Sequence, residues 1–262
     1  MESLKVVVAV HKPYDVLSNG TYLPIQVGAA MASDLGISKD NTGRNISEKN
    51  DLYCELTALY WAWHNLQVDS LGLMHYRRYL GIPRRCVPWK KTKEKIATGE
   101  ELQRYLEKVP IILPKRRNYF IESRENQYIH AHGSDGIDVL RRVLKQQSPE
   151  YLPAFEQSMK RTSGHCFNIF IMRRDICDAY CQWLFGTLFE VEAVMRASMS
   201  ESIIPRLFGF LAERMIDCWI TTNKLEYIEL PVINTEPQKW MKKGIAFLLR
   251  KYGLISSVPK GK

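Results

Sequence analysis

The chain has 262 residues, enough for one large α/β domain or two small ones. Its composition is 45% hydrophobic, which supplies a full-size core and excludes wholesale disorder. The 37 lysines and arginines outnumber the 28 aspartates and glutamates. The resulting formal charge of +9 favours polyanionic partners: nucleic acid, anionic lipid or phosphorylated small molecules.

Secretion, membrane insertion and zinc binding find no support in the sequence. The apolar run near the start of the chain is too short for a signal-peptide core, and no stretch approaches the roughly 20 apolar residues that span a bilayer. The six cysteines form no Cys-x-x-Cys pair, and no histidine lies at zinc-ligand spacing. We therefore expect a cytoplasmic protein with free thiols.

The predicted elements alternate between strands and helices, which indicates a largely parallel α/β sheet. The valine-rich residues 4–10 are typical of a strand buried on both faces. Residues 19–45 are polar and predicted to be mostly loop. The clearest helix is predicted at 46–66, with Ser47 as its N-terminal cap. Further strands are predicted at 68–74, 110–114, 167–172 and 227–232, and further helices at 100–109, 125–147, 175–194 and 204–222.

The C-terminal segment differs from the rest of the chain. Residues 1–235 are predicted to form a single domain and residues 236–262 a basic amphipathic extension. Within it, residues 239–252 combine a tryptophan and aliphatic side chains with five lysines and arginines. Such a helix can lie on an anionic membrane surface. The alternative is a helix docked on the domain with its basic face in water.

The motif His75-Tyr76-Arg77-Arg78-Tyr79 directly follows a predicted strand. In open α/β sheets, ligands bind beyond the carboxyl ends of the strands. Guanidinium groups hold phosphate oxygens through paired N–H donors, so Arg77 and Arg78 could form a diphosphate clamp. The alternative is a surface turn whose arginines pair with local carboxylates.

A second candidate lies in the predicted helix 204–222, where Glu213 and Arg214 interrupt an apolar sequence. A partly buried carboxylate has a raised pKa and can serve as a general base. The alternative is an internal ion pair between Glu213 and Arg214 that only orders the fold.

Seven stretches, in one order along the chain, resemble the bacterial capsular and exopolysaccharide glycosyltransferases long catalogued as a domain of unknown function. They are VVVAVHKPY, YLPIQVGAA, NISEKNDLYCELTALYWAWHN, GLMHYRRYL, IILPKRRNYFIES, GHCFNIFIMRRDICDAYCQWLF and GFLAERMIDCWI. The resemblance implies a GT-A-like fold: a Rossmann-type, mainly parallel sheet flanked by helices, here with a helical C-terminal extension. It also implies hexosyl transfer, by inversion, from a UDP-sugar to a lipid-linked saccharide in capsule, exopolysaccharide or O-antigen synthesis. Galactose, as pyranose or furanose, is the first donor sugar to consider.

The sequence departs from GT-A enzymes at large because it contains no Asp-x-Asp motif, which in those enzymes holds a divalent cation against the donor diphosphate. Arg77 and Arg78 follow a strand at a comparable place, and arginines can offset the same charge. We therefore expect a metal-independent clamp and no firm cofactor, with Mn²⁺ or Mg²⁺ as the alternative.

The resemblance also implies roles for individual residues. Glu213 falls where inverting enzymes place the catalytic base. The implied donor-binding residues are Val10, His11, Lys12, Gln26, Gly28, Asn50, Tyr53, Glu55, His75, Tyr76, Arg77 and Arg78. The implied acceptor-binding residues are His132, His165, Asn168 and Arg214.

These expectations place the protein at the inner face of the cell membrane, with a UDP-sugar, a lipid-linked oligosaccharide and the anionic membrane surface as partners. Nucleic acid is not an expected partner, because the positive charge is scattered and no recognisable nucleic-acid module is present. The alternative function is a non-catalytic module that binds a nucleotide sugar or a polysaccharide within an assembly complex.

Overall fold

The computed structural model of the protein describes residues 3–87, 91–198 and 203–236. The strands of this part of the chain are β1 (Leu4–Val10), β2 (Tyr22–Gln26), β3 (Ser38–Lys39), β4 (Ser70–His75), β5 (Arg78–Leu80), β6 (Ile111–Pro114), β7 (Arg117–Asn118), β8 (Ser163–Gly164), β9 (Phe170–Arg173), β10 (Tyr227–Leu230) and β11 (Val232–Asn234). Its α-helices are α1 (Asn50–Tyr53), α2 (Leu56–Asn65), α3 (Thr92–Lys95), α4 (Gly99–Leu106), α5 (Arg124–His132), α6 (Asp135–Gln147), α7 (Leu152–Lys160), α8 (Arg174–Ser198) and α9 (Leu207–Thr222).

The main sheet has the strand order β10-β6-β9-β4-β1-β2-β3. Strand β1 pairs in parallel with β2 and β4, and β10 pairs in parallel with β6, whereas β9 runs antiparallel between β4 and β6. Strands β5 and β11 form an antiparallel addition beside β4. The predicted mainly parallel α/β sheet is therefore confirmed, and the carboxyl ends of β1, β2, β4 and β6 lie at one edge.

Both faces of the sheet are covered. Side chains that alternate along β1 enter two separate cores: Val7 and Ala9 pack with α2, α6, α8 and α9, whereas Val6 and Val8 pack with α4 and the residues around β5. This two-sided burial explains why residues 4–10 form a continuous apolar run. In the described ranges, no helix combines the length and the apolar character needed to cross a membrane.

The prediction that residues 19–45 are mostly loop is wrong for β2, and it also missed the two-residue strand β3. Pro24 lies within β2, and because proline disfavours strand interiors, the sequence of β2 does not resemble that of a strand. The predicted helix at 46–66 is interrupted, because Cys54 adopts a φ of 52° between α1 and α2. Ser47 is not a helix cap: its hydroxyl donates to Asp40 and accepts from the backbone N–H of Ala30.

Further predicted elements differ from the observed ones because a helix is broken or because an element is too short to recognise in the sequence. The predicted helix at 125–147 is two helices separated at Gly133, whose φ of 80° ends α5. Helix α7 and strands β5, β7, β8 and β11 were not predicted. The predicted amphipathic segment 239–252 lies outside the described residues, so both it and the domain boundary at 235 stay predictions.

A buried ion pair joins α5 to α9. Arg124, whose side chain is 0% exposed, places Nη1 2.8 Å from Oδ2 of Asp217 on α9. The same guanidinium donates to the hydroxyl of Ser158 on α7 and to the backbone carbonyl of Glu213, the latter at 2.9 Å. A side chain at Gly164 would collide with Arg124, so glycine is required there.

Asp217 also accepts from the residue that follows β8. The backbone N–H of His165 lies 3.1 Å from Oδ2 of Asp217, and its Nδ1 lies 2.7 Å from Oδ1. Burial raises the pKa of Asp217, but the hydrogen bond from His165 and the charge of Arg124 outweigh it and lower the pKa to about 2. The carboxylate is therefore ionised under all ordinary conditions.

We predict that Asp217→Asn lowers the free energy of unfolding by roughly 3–5 kcal/mol, because it leaves the buried charge of Arg124 without a counterion. Urea denaturation measures the change. Asp138→Asn is the matched control: this aspartate is 54% exposed and pairs with Arg141 at the surface, so its loss should cost less than about 1 kcal/mol. Equal effects of the two substitutions would contradict the prediction.

Asp217→Asn should also change how the free energy of unfolding depends on pH. The pKa of Asp217 is about 2 in the folded protein and about 3.9 in an unfolded chain, so its stabilisation is complete above about pH 5 and is lost as the pH falls to 2. Asp217→Asn should remove this part of the acid dependence of stability.

Candidate active site

A cavity of about 590 Å³ lies at the edge of the sheet where β1, β2 and β4 end. Pockets of this size hold small molecules and cofactors. The lining comes from those strand ends, from α1 and the residues that follow it, and from the segment before α9. It consists of Ala9, His11, Val27, Asn50, Asp51, Cys54, Glu55, His75, Arg77, Pro205 and Arg206.

Two arginines from distant parts of the chain line the cavity. Arg77 follows β4 and places Nη1 3.3 Å from Oε2 of Glu236. Arg206 precedes α9, and its backbone N–H donates to the carbonyl of Asp51 at 2.7 Å. Its φ of 66° is unusual for a residue with a side chain, and its guanidinium lies 5.3 Å from the centre of the Phe210 ring. The cavity therefore has fixed positive charge.

The two histidines that line the cavity add no charge to it. Burial, followed by the charges of Arg78 and Arg77, lowers the pKa of His75 to about 3. Burial and then the charge of Arg77 also lower the pKa of His11. Neutral imidazoles can donate from one nitrogen and accept at the other, so both rings can form hydrogen bonds to a neutral part of a ligand.

A carboxylate lines the cavity beside these groups. Glu55 directly follows the break at Cys54, and its Oε1 accepts from Nδ2 of Asn168 at 2.8 Å. The same amide nitrogen donates to the carbonyl of Gly209 at 3.0 Å, which fixes its orientation. Burial raises the pKa of Glu55 and the negative charge of Glu213 raises it further, although the Asn168 hydrogen bond opposes them.

Glu213 is half-buried on α9 and is not among the residues that line the cavity. Its charge acts on Glu55, on Arg78 and on Arg206. Arg214, its neighbour, does not pair with it in the described structure. The Arg214 guanidinium instead donates to Gln127 at 2.6 Å and to the Tyr119 hydroxyl at 3.4 Å. The two side chains therefore form no direct ion pair, although the charge of Glu213 helps to raise the pKa of Arg214.

The structure divides the predicted donor-binding residues into two groups. Five line the cavity: His11, Asn50, Glu55, His75 and Arg77. Asn50 also supports the chain break, because its Nδ2 donates to the carbonyl of Cys54 at 2.8 Å. Arg78, unlike its neighbour, lies over the ring of Phe167 at 4.3 Å.

The other predicted donor-binding residues surround the cavity without lining it. Gln26 donates to the Ser33 carbonyl at 2.7 Å and accepts from Leu35 at 2.8 Å. Gly28, with a φ of 64°, donates to Asp40 at 2.9 Å and leaves no room for a side chain beside Asn50.

The aromatic and aliphatic members of this second group are buried. Val10 lies in the sheet, and the hydroxyl of Tyr53 donates to Glu192 at 2.8 Å in the core. The Tyr76 ring packs edge-on against His11 at 5.2 Å, and the exposed Lys12 lies 5.6 Å from its centre. These residues support the strand ends and the α1 region that line the cavity.

The predicted acceptor-binding residues are spread over the same edge. His132 stacks on Phe210 with the ring centres 3.9 Å apart, and burial, followed by the charge of Arg214, lowers its pKa to about 4. Asn168 supports Glu55, as described above. His165 is buried between Asp217 and Glu229, whose Oε1 lies 3.1 Å from its Nε2.

Arg206 was missed by the sequence-based reasoning. It stands in a short segment before α9 that carries no recognisable pattern, and only the fold brings it beside Asp51. No group of three or more histidine, cysteine, aspartate or glutamate side chains suited to a metal ion occurs among residues 3–87, 91–198 and 203–236.

A smaller cavity, of about 350 Å³, lies between the Pro83–Arg85 turn and α4. Its charged residues are Arg84, Glu101, Arg104 and Lys108. It shares no lining residue with the cavity at the ends of β1, β2 and β4.

The chain belongs to the family described as "Domain of unknown function (DUF4422)", whose model matches residues 5–224. Among solved structures it is similar to the apo structure of the WbbM bifunctional glycosyltransferase, with a TM-score of 0.78 and 30% sequence identity. The similarity covers 89% of this chain and 46% of that chain, so the protein spans about half the length of this relative. No curated protein matches the sequence significantly. The likeness agrees with the GT-A-like α/β fold predicted above.

We predict that His75 does not titrate between pH 5 and pH 8, because burial and the adjacent arginines hold its pKa near 3. The imidazole proton resonances, assigned by comparison with His75→Gln, should keep constant chemical shifts over this range. A midpoint near pH 6.5 would contradict the charge distribution described for the cavity.

Proposed function

We propose that the protein is a glycosyltransferase that moves a sugar from a UDP-sugar onto a lipid-linked saccharide. The supporting observation is one cavity at the strand ends that joins two arginines, two neutral histidines and a carboxylate. The similarity to a glycosyltransferase structure over 89% of the chain supports the same reaction class.

In this proposal Arg77 and Arg206 hold the donor diphosphate. Negative charge grows on the diphosphate as the sugar leaves, and fixed guanidinium groups stabilise it without reorganisation. Arg77 follows β4 and Arg206 precedes α9, so two separate parts of the chain would hold a diphosphate bound in the cavity. The pair replaces the Arg77 and Arg78 clamp expected from sequence, because Arg78 does not line the cavity.

We assign Arg78 a different role. It lies where the charges of Glu213 and Glu55 both act on it, which opposes the lowering of its pKa by burial and by Arg77. Its positive charge therefore offsets two neighbouring carboxylates that would otherwise repel each other.

Glu213 serves as the base, because its charge acts on Glu55 and Arg206, which both line the cavity. It removes the proton from an acceptor hydroxyl, and the hydroxyl oxygen attacks the anomeric carbon of the donor sugar. The bond from that carbon to the diphosphate breaks, and UDP leaves with the electron pair. A base is needed because a sugar hydroxyl is a weak nucleophile at neutral pH. Direct displacement inverts the anomeric configuration.

The finer assignments extend this proposal. We propose galactose, as pyranose or furanose, for the donor sugar. We propose His132 and Arg214 for the acceptor side, because His132 stacks on Phe210 beside Arg206 and Arg214 directly follows Glu213. The acceptor class places the enzyme in capsule, exopolysaccharide or O-antigen synthesis at the inner face of the membrane, with residues 239–252 as one membrane contact.

We predict that Glu213→Gln lowers sugar transfer by roughly 100- to 10,000-fold while UDP-sugar affinity changes little, because only proton removal is lost. UDP release in the presence of acceptor measures turnover, and calorimetry measures affinity. Glu226→Gln, at an exposed position, is the matched control. Near-normal turnover of Glu213→Gln would show that Glu213 is not the base. If the wild type binds UDP-sugar but releases no UDP, a non-catalytic binding module is favoured instead.

We predict that Arg77→Gln and Arg206→Gln each weaken UDP-sugar binding by roughly 10- to 100-fold, the range expected for a charge-assisted hydrogen bond. A panel of UDP-sugars, read by the rise in thermal unfolding temperature, measures this effect. Arg104→Gln, an exposed arginine on α4, should bind normally.

The clamp also predicts that wild-type binding and turnover survive excess chelator. Loss of activity in chelator that manganese restores would contradict a clamp made of arginines alone.

A further inference from the structure

Two large apolar side chains point into solvent on the loop between β7 and α5. Phe120 is 80% exposed and Ile121 is 59% exposed. They are consecutive, so together they form one apolar tip, which we call the 120–121 tip. Single exposed apolar residues need no explanation, but an adjacent aromatic and aliphatic pair is unusual on a surface.

The backbone holds the tip outward. Phe120 has a φ of 63°, a conformation that costs a bulky residue about 1–2 kcal/mol. Its N–H donates to Oδ1 of Asn118 at 2.7 Å, and the N–H of Ile121 donates to the carbonyl of Tyr119 at 2.8 Å. The N–H of Tyr119 donates across the hairpin to Thr162 at 2.7 Å. A turn that is strained and also well bonded indicates a function for the side chain it exposes.

Basic side chains flank the tip. Lys115 and Arg117 are exposed and have no ion-pair partner among the described residues. The nearest acid along the chain, Glu122, is largely covered and lies 3.4 Å from His130. The tip therefore combines apolar surface with a positive rim.

The tip lies at the same edge of the sheet as the cavity. Strand β6 ends there and leads directly into Lys115 and the hairpin. At the base of the tip, the Tyr119 hydroxyl lies 3.1 Å from Sγ of Cys166 and 3.4 Å from Arg214, the neighbour of Glu213. A surface bound to the tip would thus lie beside the acceptor side of the proposed active site.

We propose that the 120–121 tip docks the protein on an anionic phospholipid bilayer. Phe120 and Ile121 enter the headgroup region, while Lys115 and Arg117 contact the lipid phosphates. Aromatic and aliphatic side chains with nearby lysine and arginine are the composition that such interfaces select. This contact is distinct from the membrane contact proposed for residues 239–252. It rests on the proposed function in one respect, which is that it would bring a lipid-linked acceptor to Glu213.

Co-sedimentation of the full chain with vesicles tests the proposal, using phosphatidylglycerol mixed with phosphatidylcholine and phosphatidylcholine alone. The double variant Phe120→Asn/Ile121→Ser removes the apolar surface, and asparagine tolerates the positive φ. We expect it to bind phosphatidylglycerol vesicles at least about tenfold more weakly than wild type, with unchanged urea denaturation. Met31→Ser is the control, since Met31 is 79% exposed on the loop after β2 and should not contribute.

Arg117→Gln probes the charged rim without altering the strained turn. We expect roughly fivefold weaker binding to phosphatidylglycerol vesicles and no change with phosphatidylcholine alone. If the double variant binds vesicles as tightly as wild type, the proposal is overturned. That result would also follow if residues 239–252 supplied all the binding. Equal losses in Met31→Ser, or binding to no vesicle at all, would also overturn it.

Transfer to a water-soluble acceptor separates this proposal from the proposed function. The double variant should keep wild-type transfer to that acceptor, because the tip does not line the cavity. Vesicle binding without any transfer by the wild type would contradict the glycosyltransferase but not the docking surface.

Discussion

The buried ion pair between Arg124 and Asp217 fixes the relative positions of the parts on which the proposed site depends. It joins α5 to α9, while Ser158 brings in α7 and His165 brings in the β7–β8 hairpin. Buried ion pairs often add little net stability over well-packed apolar residues, so the main effect of this one is to fix geometry. Because Arg124 also binds the carbonyl of Glu213, the position of the proposed base follows directly from the pair.

The arginines and the histidines of the cavity differ in how burial affects their charge. Arginines stay charged in any environment, so burial near Arg77 and Arg206 leaves positive charge in place. Histidines lose their charge under the same conditions, as the low pKa of His75 illustrates. A site built this way can stabilise a leaving diphosphate while offering neutral hydrogen-bonding groups to the rest of a ligand.

The sequence predicts what depends on local pattern and fails where distant contacts decide. The valine run of β1 and the apolar residues of α8 and α9 show their burial directly, so the α/β sheet could be predicted. Strand β2 contains Pro24 and forms by pairing with β1, and the two-residue β3 forms by pairing with β2. The chain break at Cys54, the position of Arg206 and the pairing of Arg124 with Asp217 depend on residues far apart in sequence. His11, Glu55 and Arg77 were identified because they follow predicted strands or belong to the motifs of the resembled family.

Strand β9 is antiparallel to its neighbours β4 and β6, so it separates the carboxyl ends of these two strands at the edge of the sheet. Its amino end, preceded by Phe167 and Asn168 with φ values of 75° and 52°, reaches the edge where β4 and β6 present their carboxyl ends. The cavity lies on the β1, β2 and β4 side, and the hairpin lies on the β6 side. Under the proposed function, most donor contacts thus come from the β1, β2 and β4 ends and the acceptor side from the hairpin and α5, while the α9 region contributes to both. Mutations could alter acceptor choice around the hairpin while the nucleotide half stays intact, which gives such a scaffold a route to new linkages.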